Sequence, residues 1–409
     1  LLVEQASQET VSVRVFTLIL TVILTLGCGP DPLVAPSFDR TDDSRPQVNL
    51  QKADSLQGEG RPGLRCSNRP QGHDPNGVHD LGETPHFEGW YYRISHPTTQ
   101  ESWVLIAAYW QDDYAEGHAF IELIHHPSGR IYKAIYDDVS VDSIQANAGE
   151  FVLKLDDLLL TANEIRGHFR TDLGESIYLD LVIDGCAYWG APQDEGNRWT
   201  MGWATEMPGV PLRWHVHHLK AQATGQIETD EYRWSFNGYP LHQEKNWGRA
   251  FPSSWIWMQS NRFEGRPDVA FAAAGGQIFP TRWSPDGYMA GLRWRDQFFT
   301  WRTQDGHRFP EAKFSIDETT GLGSWRLEAE NWRHRIEVSI DAPLSQLIPI
   351  DVPTDGGLQI GAVEHLAADM EIKVYRRSGV SWALVDTVYS RSTAVEAGGD
   401  VARSLGLIP

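Results

Sequence analysis

The chain has 409 residues, and 55 Asp and Glu outweigh 35 Lys and Arg to give a formal net charge of −20. That balance argues against nucleic acid or an anionic membrane surface as the main partner, while the length allows two or three domains with sizeable cores. The cysteines Cys28, Cys66 and Cys186 show no metal-ligand spacing, so no metal is expected. Nine of the 17 tryptophans fall between Trp203 and Trp301, a density that suits an aromatic-lined cavity or interface better than generic packing.

Residues 1–28 read as an export signal. Arg14 precedes the uncharged run Val15 to Leu26, which is too short to span a bilayer as a helix and of the right length for a signal core. Its Gly27-Cys28 ending resembles a bacterial lipoprotein signal, with Cys28 as the lipidation site. The expected location is therefore the bacterial envelope, exported and membrane-anchored, with a periplasmic or secreted form as the alternative. Residues 29–80 are rich in Pro, Gly, Asp, Ser and Asn without period, and read as a disordered tether.

From His86 the chain reads as short strands separated by Gly, Pro, Asn and Asp. His86 to Ile94, Trp103 to Trp110, His118 to His126 and Arg130 to Tyr136 come first, the last two forming a hairpin across Pro127-Ser128-Gly129. Further runs include Ser176 to Ile183, Leu212 to Ala221, Tyr232 to Phe236, Trp255 to Phe263, Ser324 to Glu330, His334 to Ile340, Asp369 to Arg377 and Trp382 to Ser390. No long amphipathic helix is legible. The pattern predicts an all-β protein of antiparallel sandwiches or barrels. So many strands call for two β-domains, 81–225 and 226–409.

The stretch Tyr239 to Phe263 organises the rest. A polar cluster, Glu244-Lys245-Asn246, leads into Trp247-Gly248, and Phe251-Pro252-Ser253-Ser254 is a turn signal. Trp255, Trp257, Gln259 and Asn261 then recur with period two, which in a strand puts two indoles and two amides on one face. Such a face suits either a pocket wall or a sheet core with a polar end.

Several separated motifs then resemble the tocopherol cyclase family: Phe87 to Ile94 (FEGWYYRI), Trp214 to Val216 (WHV), Glu244 to Asn261 (EKNWGRAFPSSWIWMQSN), Pro353 to Leu358 and Val395 to Gly399 (VEAGG). Ser260 stands where the plant enzymes have Cys. The resemblance covers roughly residues 80–400 and implies two lipocalin-like antiparallel β-barrel domains. It also implies an isomerase that closes a prenylated hydroquinone to a chromanol without a cofactor, acting on a small hydrophobic isoprenoid quinol. An isoprenoid hydratase and a non-catalytic exported lipid or quinone carrier are the alternatives.

Protonating an alkene and capturing the cation with a phenol oxygen needs a carboxylic acid kept neutral by an apolar site. It also needs aromatic faces near the cation and exclusion of water. Glu88, beside Trp90, is the first acid candidate and Glu244 the second. Lys245, next in sequence to Glu244, can depress that acid's pKa, which ranks it second and gives Glu244 and Asn246 a substrate-orienting or structural role. Trp90, Trp255 and Trp257 are the cation-facing candidates, Gln259 and Asn261 the partners for quinol hydroxyls, and His215 a further polar group of the pocket.

Overall fold

Alternation decides the simplest strands. In Leu322–Glu330 and His334–Pro343 every second residue is buried, the mark of a strand with one face on a core and one in water. His86–Ser95, Ser102–Gln111 and Gly117–His126 instead bury residues on both faces, so each must be covered on two sides.

The computed structural model of the chain describes residues 85–409, apart from 112–115, 140–145, 148–149, 156, 162, 191–198, 279–285 and 355–356. The expected signal segment, the tether, Cys28 and Cys66 lie outside the described residues. Cys186 is disulfide-bonded.

The first sheet contains β1 (His86–Ser95), β2 (Ser102–Gln111), β3 (Gly117–His126), β4 (Arg130–Tyr136), β5 (Ala146–Asn147), β6 (Glu150–Leu155), β7 (Leu158–Thr161), β8 (Glu164–Arg170), β9 (Ser176–Tyr188), β10 (Leu212–Glu228) and β11 (Arg233–Gly248). Their spatial order is β4-β3-β2-β1-β11-β10-β9-β8-β7-β6-β5. The second sheet contains β12 (Ser254–Ser260), β13 (Ala270–Gln277), β14 (Asp286–Trp294), β15 (Gln297–Arg302), β16 (Arg308–Asp317), β17 (Leu322–Glu330), β18 (His334–Pro343), β19 (Ile348–Thr354), β20 (Gly357–Ser378) and β21 (Ser381–Gly399). Its order is β15-β14-β13-β12-β21-β20-β18-β17-β16, with β19 added alongside β20. A single turn of helix, α1 (Asp400–Ser404), follows β21.

The protein is thus all-β, two curled antiparallel sheets in half-barrel form. The chain leaves the first sheet between Gly248 and Ser254, whereas the division expected between residues 225 and 226 falls inside β10. The turn after Glu228 joins β10 to β11, and β11 then pairs with both β10 and β1.

Each sheet curls around its own core, with Trp90, Leu105 and Leu179 in the first and Phe271, Trp325 and Ile372 in the second. A third apolar layer, including Val104, Trp214, Trp255, Ile350 and Leu366, fills the space between the sheets. Arg93 of β1 crosses that layer fully buried. Its guanidinium donates to the Gln259 side chain at 3.1 Å, to the Leu366 carbonyl at 2.6 Å and to Ser392 Oγ at 3.0 Å. Burial pushes its pKa down to about 10, so it keeps its charge at neutral pH. One side chain therefore ties the first sheet to β12, β20 and β21.

Arg93→Ala should lower unfolding stability by about 3–5 kcal/mol, the cost of stranding buried acceptors and removing a buried charge from its partners. Arg93→Lys should recover little of it, because an ammonium lacks the planar fork that reaches three acceptors. The shift of the urea midpoint measures both.

Candidate active site

β1 and β11 are antiparallel neighbours, with Glu88 opposite Trp247, Trp90 opposite Lys245 and Tyr91 opposite Glu244. Cross-strand partners share a face. Glu88, Trp90, Lys245 and Trp247 therefore project into the first half-barrel, while Tyr91, Arg93 and Glu244 project into the layer between the sheets.

On the inner face, Lys245 Nζ lies 2.6 Å from Glu88 Oε2, with neither side chain exposed. The ammonium sits 4.8 Å from the Trp90 ring centre and 5.1 Å from that of Trp247. His86 Nε2 is 3.2 Å from the other Glu88 oxygen. His215, in register with Lys245 on β10, is buried with Nδ1 3.3 Å from Thr200 Oγ1 and its ring edge-on to Trp199. Glu88 is thus the anion of a buried ion pair, whereas an alkene needs a neutral acid. This geometry argues against Glu88 as the proton donor. It also reverses the expected role of Lys245, which neutralises Glu88 and not its sequence neighbour Glu244.

Between the sheets lies a different group. Glu244 Oε2 accepts from Trp257 Nε1 at 3.1 Å and stands 2.9 Å from His242 Nε2. Tyr91 Oη donates to Glu364 Oε1 at 2.6 Å, and its ring meets Trp257 edge-on at 5.3 Å. Glu396 of β21 is in register with Glu364 on one side and with Trp257 on the other, and accepts a hydrogen bond from Trp255 Nε1. Three carboxyl groups from β11, β20 and β21 thus converge on two indoles and a phenol. Among the described residues no Lys or Arg forms an ion pair with Glu364 or Glu396.

Burial raises the Glu364 pKa to about 8, and the neighbouring Glu396 charge adds to it, against the opposing Tyr91 hydrogen bond and Arg93 charge. Burial likewise raises Glu396 to about 7, reinforced by Glu244 and opposed by the Trp255 hydrogen bond. Tyr91 is pushed well above its ordinary value by burial and then by the Glu364 charge, so it stays a donor. Such a pair titrates as a unit, and it holds at least one proton at neutral pH.

Of the other residues singled out from sequence, Trp255, Trp257 and Gln259 do line one face of β12, buried against the first sheet. Gln259 is occupied by Arg93. Asn261 is buried just past the end of β12, and Asn246 is half-buried, in register with Gly89 and Trp214. Among the described residues no group of three His, Cys, Asp or Glu is placed to hold a metal.

Glu364 and Glu396 were missed from sequence. The motif Val395 to Gly399 carried the signal: it holds Glu396 together with Gly398. A Cβ at Gly398 would fall 2.1 Å from the Trp255 indole, so only glycine lets that ring lie against β21. A surface cleft of about 470 Å³ lies elsewhere, lined by Trp199, Trp203, Arg302 and Asp305 among others. The carboxyl group cluster is packed interior, with Glu396 its half-buried edge.

These pKa values imply a pH dependence of stability. Glu364 keeps a proton in the fold that the unfolded chain releases above its ordinary 4.5. Its contribution is complete below pH 4.5 and is lost as pH rises through about 8, at about 1.4 kcal/mol per pH unit within that window. Glu364→Gln should remove this slope, as urea denaturation at a series of pH values would show.

A family model described as Tocopherol cyclase-like matches residues 156–399, more than half of the chain. The chloroplastic tocopherol cyclase of Zea mays is 23% identical over 368 residues, covering 77% of this chain and 75% of that protein. A probable chloroplastic tocopherol cyclase of Oryza sativa subsp. japonica is 24% identical over 367 residues, covering 77% and 76%. The crystal structure of kievitone hydratase from Nectria haematococca superposes with a TM-score of 0.44 at 12% identity, covering 79% of this chain and 93% of that one. The match over residues 156–399 places the chain in the tocopherol cyclase-like family.

Proposed function

We propose that the chain closes a prenylated hydroquinone to a chromanol, with the Glu364–Glu396 pair as the acid. The observation that carries this reading is a carboxyl group raised to about 8 among aromatic side chains. It holds its proton at neutral pH and is strong enough as a buried acid to deliver it. The family membership and the relatives' names support ring closure as the reaction.

The steps balance without a redox partner. The carboxyl O–H breaks as its proton bonds to the less substituted alkene carbon. The tertiary cation left on the neighbouring carbon takes an electron pair from the phenol oxygen, which forms the ring C–O bond. The phenolic proton returns to the carboxylate. Trp255 and Trp257 supply π faces for the cation, and the packed layer excludes the water that would otherwise trap it. Glu244, fixed by Trp257 and His242, orients the hydroquinone end. Glu396 is the edge at which substrate meets the acid.

Purified protein incubated with a prenylated hydroquinone should yield a chromanol of unchanged mass. Glu364→Gln should lower kcat by about 100-fold or more, and wild-type kcat should fall as pH rises through about 8, where the acid deprotonates. An undiminished rate in Glu364→Gln removes the assignment. A product heavier by one water makes the chain a hydratase, and tight binding without turnover makes it a carrier.

A further inference from the structure

One end of the second sheet combines exposed apolar side chains with several arginines. Val380, at the β20–β21 turn, is 99% exposed, Leu384 is 54% exposed, and Trp332, at the β17–β18 turn, is 69% exposed. The two turns are joined, since the Arg377 amide donates to the Arg333 carbonyl at 2.9 Å. Arg333 stacks on Trp332 with its guanidinium carbon 3.9 Å from a ring centre, and Arg377 stacks on Trp382 at 4.3 Å. Arg376 is exposed between them. Acids of the adjoining strands β17 and β18 are engaged by other arginines: Glu330 pairs with Arg308, and Glu328 and Glu337 pair with Arg335. Among the described residues no carboxylate pairs with Arg333, Arg376 or Arg377.

Large apolar side chains at turn tips have no packing reason to be there. Aliphatic tips ringed by indoles and arginines match the layers of a membrane surface: acyl chain, headgroup boundary and phosphate. Three arginines without acidic partners complement anionic headgroups. We propose that this end of the second sheet inserts shallowly into a bilayer that contains anionic lipid, with Val380 and Leu384 entering the acyl boundary. The tip stands at one end of β20 and β21, and Glu364 and Glu396 lie towards the other. Docking here is independent of the proposed reaction and of any attachment through residues 1–28.

The test uses the full chain and vesicles of phosphatidylcholine with or without one third phosphatidylglycerol. A nitroxide placed through Val380→Cys reports the local environment. Its accessibility to oxygen should rise and its accessibility to an aqueous nickel chelate should fall when anionic vesicles are added. Arg376→Ala with Arg377→Ala should weaken partitioning about thirtyfold, the combined effect of two interfacial arginines. A label that stays aqueous while the chain is vesicle-bound overturns the proposal. So does the absence of vesicle binding, or burial of the label by association with a second copy or another protein.

Discussion

Strand β11 alternates its side chains, and that alternation separates two charges that are adjacent in sequence. Lys245 turns into the first half-barrel, where it meets Glu88 at 2.6 Å. Glu244 turns the other way, into the layer between the sheets, where Trp257 and His242 receive it. A shift of register by one residue would exchange the two environments. The ammonium would then lie beside Glu364 and Glu396 and hold them ionised, while Glu88 would face the Glu244 carboxylate in place of the ammonium. The pairing of β11 with both β1 and β10 fixes that register. The separation of the Glu88–Lys245 ion pair from the Glu364–Glu396 pair follows from it.

The interlayer is a costly arrangement. Burying Glu364 and Glu396 without Lys or Arg partners disfavours their charged forms, and the fold accommodates the pair by leaving a proton in place. Donors from Tyr91 and Trp255 satisfy one oxygen of each, and Trp257 and His242 hold Glu244 beside them. Arg93 binds the two sheets across the same layer through Gln259, Leu366 and Ser392. Wholly apolar packing would hold the sheets together without these polar groups. That such a set persists at the contact of two apolar faces is what gives it the character of a site.

Much of this fold is legible in the sequence. Half-buried strands announce themselves by alternation, as β17 and β18 do, and the turn at Pro127-Ser128-Gly129 marks the β3–β4 hairpin at its observed place. Strands covered on both faces lose that signal. β11 runs unbroken from Arg233 to Gly248 through the polar cluster Glu244-Lys245-Asn246, which shows no apolar alternation to mark it as strand. β20 and β21 extend well beyond the alternating segments Asp369 to Arg377 and Trp382 to Ser390. Glu364 lies on one such extension and Glu396 on the other, so the acids were the least visible part of the site. The indole face of β12 was the most visible, because period two survives there.

The central claim is that a buried carboxyl group between the sheets stays protonated at neutral pH, and infrared spectroscopy reads that proton directly. Wild-type protein at pH 7 should show the carbonyl stretch of a neutral carboxylic acid. That band should titrate away as pH rises through about 8, shift on exchange into deuterium oxide and be missing from Glu364→Gln. A wild-type spectrum with only carboxylate bands at pH 7, or an acid band that survives Glu364→Gln unchanged, would contradict it.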